Sequence, residues 1–373
     1  MPVVVVALVL TLAISLNVRA DGDNLTGFVE FGSAFAHAIH PPAGALVDSP
    51  SGYDGQFFYV QALDPLLLHD STVSAMRATG EAFRLERVGY PALAALLAGG
   101  RRSAIPFALL AVNVMVLLAV AGAFAIYARR QGWSTLWALA FALMPGMVLA
   151  TVRDLSDPLA IAALLGGLLL WRGHRRWPAA LALTVAVLTR EVMMLAVAGV
   201  AAEACVRAYR ARGVAGGWRA TAADVWPVIV IPTAAFAAWQ AYVMARYGGP
   251  IGGAGLSVPL VNLVSELSAS LRGYGPTAVW DVMNVALILA ASGTAVWSLR
   301  RRVTVLNAAA CALALGVLVP TLGDVWSDAR LSAPLFVLLL ADGLHQRNRF
   351  AVGVGTAAAA MTVLMPFMIP GAF

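Results

Sequence analysis

The residues best suited to chemistry lie in five short charged clusters set into an apolar chain. The first is Tyr53-Asp54-Gly55-Gln56-Phe57-Phe58-Tyr59, with Asp64 shortly after it. Arg84-x-x-Arg87-x-x-Tyr90-Pro91 follows, then Arg153-Asp154-x-x-Asp157-Pro158, Thr189-Arg190-Glu191 and Asp324-x-x-x-Asp328-x-Arg330. A carboxylate such as Asp54 accepts the proton of an attacking hydroxyl. Guanidinium groups hold a phosphate by charge-assisted, often bidentate hydrogen bonds and stabilise charge as it departs. The combination suits transfer of a group from a phosphate leaving group. Asp54 is read as the catalytic base. Tyr53, Gln56, Tyr59, Asp64, Arg84, Arg87, Tyr90, Arg153, Asp154, Asp157, Arg190, Glu191, Asp328 and Arg330 are read as substrate-binding.

Each cluster also has a structural reading. Asp is a preferred N-cap, so Asp54 could simply cap a helix over Gln56–Leu68. Arg84 and Arg87 could form a solvated face. Asp157 before Pro158 is a good helix start. Arg190 and Glu191 could be a plain ion pair between two spans, and Asp324, Asp328 and Arg330 an ordinary loop. His37, His40 and His69 have no zinc spacing, and there is no dinucleotide, P-loop or H-E-x-x-H signature. No metal site is assigned and no cofactor is identified; a divalent cation joining Asp54, Asp154 and Asp157 is left open.

The surrounding elements are membrane helices. The chain has 373 residues, 61% hydrophobic and 12% charged, which no soluble domain of this length matches. Apolar runs recur near 2–18, 103–127, 133–151, 155–171, 177–189, 191–207, 223–245, 280–299, 303–321, 330–344 and 350–370. A span needs roughly 20 apolar residues, and backbone groups in lipid must be satisfied within the segment. The expected fold class is therefore all-α, a polytopic transmembrane bundle of about 11 spans forming a single integral membrane domain, 1–373. The run at 2–16 reads as an uncleaved first helix, because it lacks a basic leader and a convincing cleavage site. Cys205 and Cys311 lie in or beside apolar runs and read as packing residues.

With the N-terminus in the cytoplasm, the cytoplasmic segments hold 14 Arg and three acids, and the opposite side 11 Arg and 16 acids. The positive-inside rule accounts for this asymmetry, and it explains the net charge of +6 better than nucleic-acid binding does. Arg101-Arg102 is the pair on the wrong side. The first exofacial loop, 19–102, is far longer than a connection needs, and such loops are usually functional. It is expected to carry short surface helices, with Asp54 and Gln61 on one face. The stretch 91–98 is too short to span. A second exofacial loop, 246–279, is rich in Gly and Pro and could cover the site.

At these residues the chain resembles the GT-C-type integral membrane glycosyltransferases. The marks are Tyr53 to Tyr59, Ala62-Leu63-Asp64-Pro65 and Arg84 to Pro91, similar to a bacterial branch linked to cell-surface glycopolymer formation. The glycosylphosphatidylinositol mannosyltransferases resemble it more distantly. The resemblance implies a GT-C-like fold in the bacterial inner membrane with its site facing the periplasm. It implies that Asp54 is the first-loop acid, the base of an inverting hexosyl or pentosyl transfer. The implied partners are a polyprenyl-phosphate-linked sugar donor, a glycan or lipid acceptor and the bilayer. The chain carries a single Asp at 54 where other members have an acidic pair, and no soluble domain is expected after the last run. The alternative class is a flippase of lipid-linked sugars, which would need polar groups near mid-membrane; Asn113 and Asn284 are the main ones here. A non-catalytic subunit of an export complex is the third.

Overall fold

The computed structural model describes residues 1–47, 50–212, 217–251, 261–273, 275–318 and 325–368. Every named element among them is helical, and extended backbone pairs at one isolated bridge, Phe31 to Val47. The chain opens with α1 (Pro2–Ala20), started by a proline whose missing N–H costs nothing at a helix N-terminus. The long first loop then folds into α2 (Ala36–Ile39), α3 (Gly55–Leu63), α4 (Asp70–Thr79) and α5 (Gly89–Ala98). Gly80 and Gly99 stop α4 and α5 in the left-handed conformation, at φ 73° and 58°. The helix expected over Gln56–Leu68 is thus shorter, and Asp64 ends it.

After α6 (Ile105–Arg130), the run expected as one span near 133–151 is two helices, α7 (Trp137–Ala142) and α8 (Pro145–Thr151). Pro145 forces the break. It bars helical backbone at Met144, which is extended at ψ 136°. Then follow α9 (Asp157–Arg172), α10 (Arg176–Thr189), α11 (Met193–Arg210), α12 (Gly217–Tyr247), α13 (Val261–Arg272) and α14 (Pro276–Arg301). The last three are α15 (Val305–Leu318), α16 (Val325–Gln346), which contains Pro334, and α17 (Arg349–Met368).

Four helices among the described residues are long and apolar enough to cross a membrane: Pro2–Ala20, Arg102–Arg130, Thr221–Tyr247 and Pro276–Arg301. Other apolar runs are helical but shorter; α9 and α10, at 16 and 14 residues, extend only ~24 and ~21 Å. Two cores hold the chain together. The larger packs α6 through α11 against α14 through α17. Its helices approach closely at Gly199 of α11, where a β-carbon would meet the backbone of Ala308 and Ala309 in α15 at 2.7 Å. The second core, built on Phe31, Phe57, Phe58, Tyr59, Leu67 and Leu85, turns the first loop into a packed cap beside α6 and α9.

Candidate functional site

Five segments that are remote in sequence meet where the cap joins the larger bundle. Asp54 stands at the start of α3. Its backbone is already helical, at φ −59° and ψ −30°, and its side chain makes no capping hydrogen bond. The carboxylate is therefore left for other partners, and the simple capping reading does not hold. Gly55 lets this turn approach its neighbours, since a β-carbon there would meet the carbonyl oxygens of Val29 at 2.7 Å and Arg153 at 3.1 Å.

Arg84 lies within a 3-10 turn, Ala82–Glu86, and Arg87 caps it; the i,i+3 repeat puts them on one side. The carbonyl of Leu85 between them accepts from Gln61 Nε2 at 3.0 Å and from Trp239 Nε1 at 2.9 Å. Gln61, expected beside Asp54, instead fixes the turn that carries both arginines. Arg84 is further held by Glu81 at 2.9 Å and stacks near the rings of Phe57 and Phe83. Both arginine side chains are largely buried, so they are not a solvated face.

The charges alternate. Arg84 contacts Asp54 directly, Arg330 reaches it at 3.4 Å and Arg87 at 3.8 Å. Arg87 also forms a bidentate pair with Glu191, at 2.8 and 2.6 Å. Arg330 donates to Asp157 at 3.2 Å and to the Tyr53 hydroxyl at 3.0 Å. Arg190 contacts the other oxygen of Asp157. Arg190 and Glu191 thus pair elsewhere rather than with each other. Asp157 lies in the first turn of α9, but both of its oxygens are spent on arginine. Burial would raise the pKa of Asp54; Arg84, Arg330, Arg87 and Arg190 overcome it and hold the carboxyl at about 2. Burial also pushes Glu191 upward, and Arg87 and Arg190 bring it down to about 2. Burial, with Arg330 and Arg87 close by, pulls the Arg190 guanidinium down to about 9. The site is ionised throughout and crowded with cations.

The remaining candidates serve elsewhere. Gln56 is fully buried; it accepts from Gly32 N at 3.0 Å and donates to Ser51 O at 2.8 Å. Tyr59 packs edge-on to Phe31 with centroids 5.2 Å apart, inside the cap core. Asp64 accepts the backbone N–H groups of Leu68 and His69 at 2.9 and 2.8 Å, closing the turn into α4. Tyr90 is buried, donates to Leu109 O at 2.9 Å and accepts from Asn113 at 3.0 Å. Gln56, Asp64 and Tyr90, expected on substrate, spend their polar atoms on the protein, and Tyr59 packs its ring into the cap core. Asp154 is corrected too. It is fully buried with φ 46°, and neither carboxylate oxygen has a hydrogen-bond partner. Burial, reinforced by Glu30, pushes its pKa well above the usual carboxylate value. Arg153 lies at the rim, paired with Glu30 at 3.2 Å and stacked over Tyr53 at 5.1 Å. Asp328 falls within α16, with its side chain outside the described residues, as are Asp324 and 252–260 of the second loop.

Glu30 and Glu81 were not singled out in the sequence, although they hold Arg153 and Arg84. Each is a lone acid in a loop, with no spacing signal to mark it. A divalent cation does not fit the residues present. Asp54 and Asp157 face guanidiniums, and no group of three His, Cys, Asp or Glu that could hold a metal ion gathers among the described residues. No protein-family model, curated protein or solved structure matches the chain.

Proposed function

We propose that the chain is an integral membrane glycosyltransferase of the GT-C type, moving a sugar from a polyprenyl-phosphate donor to a cell-envelope acceptor with inversion. The observation that carries this reading is the convergence on Asp54 of Arg84 and Arg87 from one turn and Arg330 from α16, with Arg190 and two further carboxylates behind them. A carboxylate beside several guanidiniums is what glycosyl transfer from a phosphate asks for. The carboxylate takes the acceptor proton, and the cations stabilise charge on the departing phosphate. The site sits on a cap packed against α6 and α12, both long and apolar enough to span, so a lipid-borne phosphate would arrive at its level. The wider reading adds about 11 spans, an N-terminus in the cytoplasm and a site facing the periplasm of a bacterial inner membrane. It rests on the apolar runs and the Arg asymmetry.

The test uses the full chain in nanodiscs, a panel of radiolabelled polyprenyl-phosphate sugars and a lipid and glycan extract. Label should move to an acceptor with wild type and not with Asp54→Asn. Absence of transfer from every donor, with labelled lipid crossing the bilayer of proteoliposomes, would replace the enzyme by the flippase.

A further inference from the structure

The ion pairs of the site are unequally complete. Glu191 closes on Arg87 with two bonds of 2.6 and 2.8 Å, and Asp157 gives one oxygen to Arg190 and the other to Arg330. Asp54 faces three guanidiniums and closes fully on Arg84 alone, with Arg330 and Arg87 at 3.4 and 3.8 Å. Charge-assisted N–H···O bonds usually shorten to about 2.7–2.9 Å. Asp54 is thus a flat anion of two oxygens in a nest of three cations, two from one turn and the third from α16.

We propose that Asp54 is the resting occupant of an anion site whose intended ligand is a lipid-borne phosphomonoester, and that the phosphate displaces the carboxylate from Arg84 and Arg330. This rests on the glycosyl-transfer reading and specifies its order. The donor is a phosphodiester with two terminal oxygens and one negative charge. When its bond to the sugar breaks, the electron pair stays on the bridging oxygen. The product then has three terminal oxygens and a second charge, which Arg84 and Arg330 hold more strongly than they hold the donor. The acceptor oxygen bonds to the sugar carbon, and its proton passes to Asp54. Exchange also makes that last step easier. While guanidiniums surround Asp54 it is a weak base; once they turn to phosphate its affinity for a proton rises. Arg87 and Arg190, committed to Glu191 and Asp157, keep the frame.

The experiment is calorimetric binding of farnesyl monophosphate to the full chain in nanodiscs, with inorganic phosphate as a second titrant. Removing an internal competitor should tighten binding, so Asp54→Asn is expected to bind the prenyl phosphate about tenfold more tightly than wild type. Asp54→Glu keeps the charge and reaches further into the nest, so it should weaken binding; it also serves if Asp54→Asn fails to fold. Arg84→Gln should weaken binding as well. Affinity that is unchanged or lower in Asp54→Asn overturns the proposal, as does unchanged affinity in Asp54→Glu or no binding to any variant. Equal affinity for inorganic phosphate overturns the lipid assignment. Tighter binding by Asp54→Asn, together with no sugar transfer by wild type from any donor, would sustain the exchange and retire the glycosyltransferase.

Discussion

Arg330 and Asp342 stand on the same helix, α16, about three turns or ~18 Å apart. Each is the buried charge of a polar network, and the two networks are built in opposite ways. At the far end Asp342 accepts from Thr304 Oγ1 at 2.7 Å and from Gln346 Nε2 at 2.5 Å, both neutral donors. Around it Tyr127 donates to Ala341 O at 3.0 Å, Trp133 to Leu344 O at 2.8 Å and Arg172 to His345 Nε2 at 2.7 Å. One carboxylate is satisfied by short bonds and the neighbouring helices are tied together. At the near end four arginines share Asp54, Asp157, Glu81 and Glu191, and Asp54 is only partly satisfied. A network that exists to hold helices finishes its bonds. A network whose central carboxylate faces three guanidiniums and closes fully on one leaves bonds that an incoming anion can take.

The largest effect expected is on chemistry. Asp54→Asn should lower transfer by roughly 10²–10⁴; near-normal turnover would remove the base and leave the near network as mere scaffold. Next is stability. Arg330→Gln strips a shared cation from two buried carboxylates and should cost about 3–5 kcal/mol, read as a fall in the unfolding midpoint of the protein in detergent. Asp342→Asn loses only part of a neutral-donor network and should cost about 1–3 kcal/mol. If the two losses came out equal, the contrast between the ends of α16 would collapse. Asp154→Asn has the opposite sign. Burial without a partner disfavours its ionised form, and a neutral amide of the same shape removes that cost, so the midpoint at neutral pH should hold or rise. A large fall would show that Asp154 is ionised in the folded protein.

The smallest effect concerns pH. The carboxyl of Asp54 is lowered from 3.8 to about 2 on folding, so its contribution is fully present above the unfolded value. It should stay constant from roughly pH 5 upward and disappear only as the pH falls through the folded value. Stability curves of wild type and Asp54→Asn should therefore run parallel near neutrality and converge in strong acid. Divergence between pH 5 and 7, on the order of a kcal/mol, would place the titrating group elsewhere.

Much of this was legible in the sequence because charge in an apolar chain is conspicuous. Arg84, Arg87, Asp157, Arg190, Glu191 and Arg330 were marked by composition alone, and they do meet. What could not be read was pairing. Arg330 and Tyr53 are 277 residues apart, and nothing local links them. Residue type also misled where a polar group serves the backbone. Gln56 and Asp64 look like ligands for substrate but are spent on amide and carbonyl groups of the cap. Asn113 looked like a polar group stranded in a span. It bonds the Tyr90 hydroxyl and the Leu155 carbonyl, both at 3.0 Å, which secures the irregular turn before α9. The split at Pro145 was visible in the letters and was overridden by hydropathy, because an apolar average does not register one missing N–H.

Pro334 lies inside α16, four residues beyond Arg330. It has no N–H to give the carbonyl of Arg330, so the helix lacks a rung at the turn that carries the site's most connected arginine. Rods with a missing rung yield at that place first. The far end of α16 stays clamped by Asp342 while the near end keeps some give, and small displacements of the arginine need not disturb the bundle behind it.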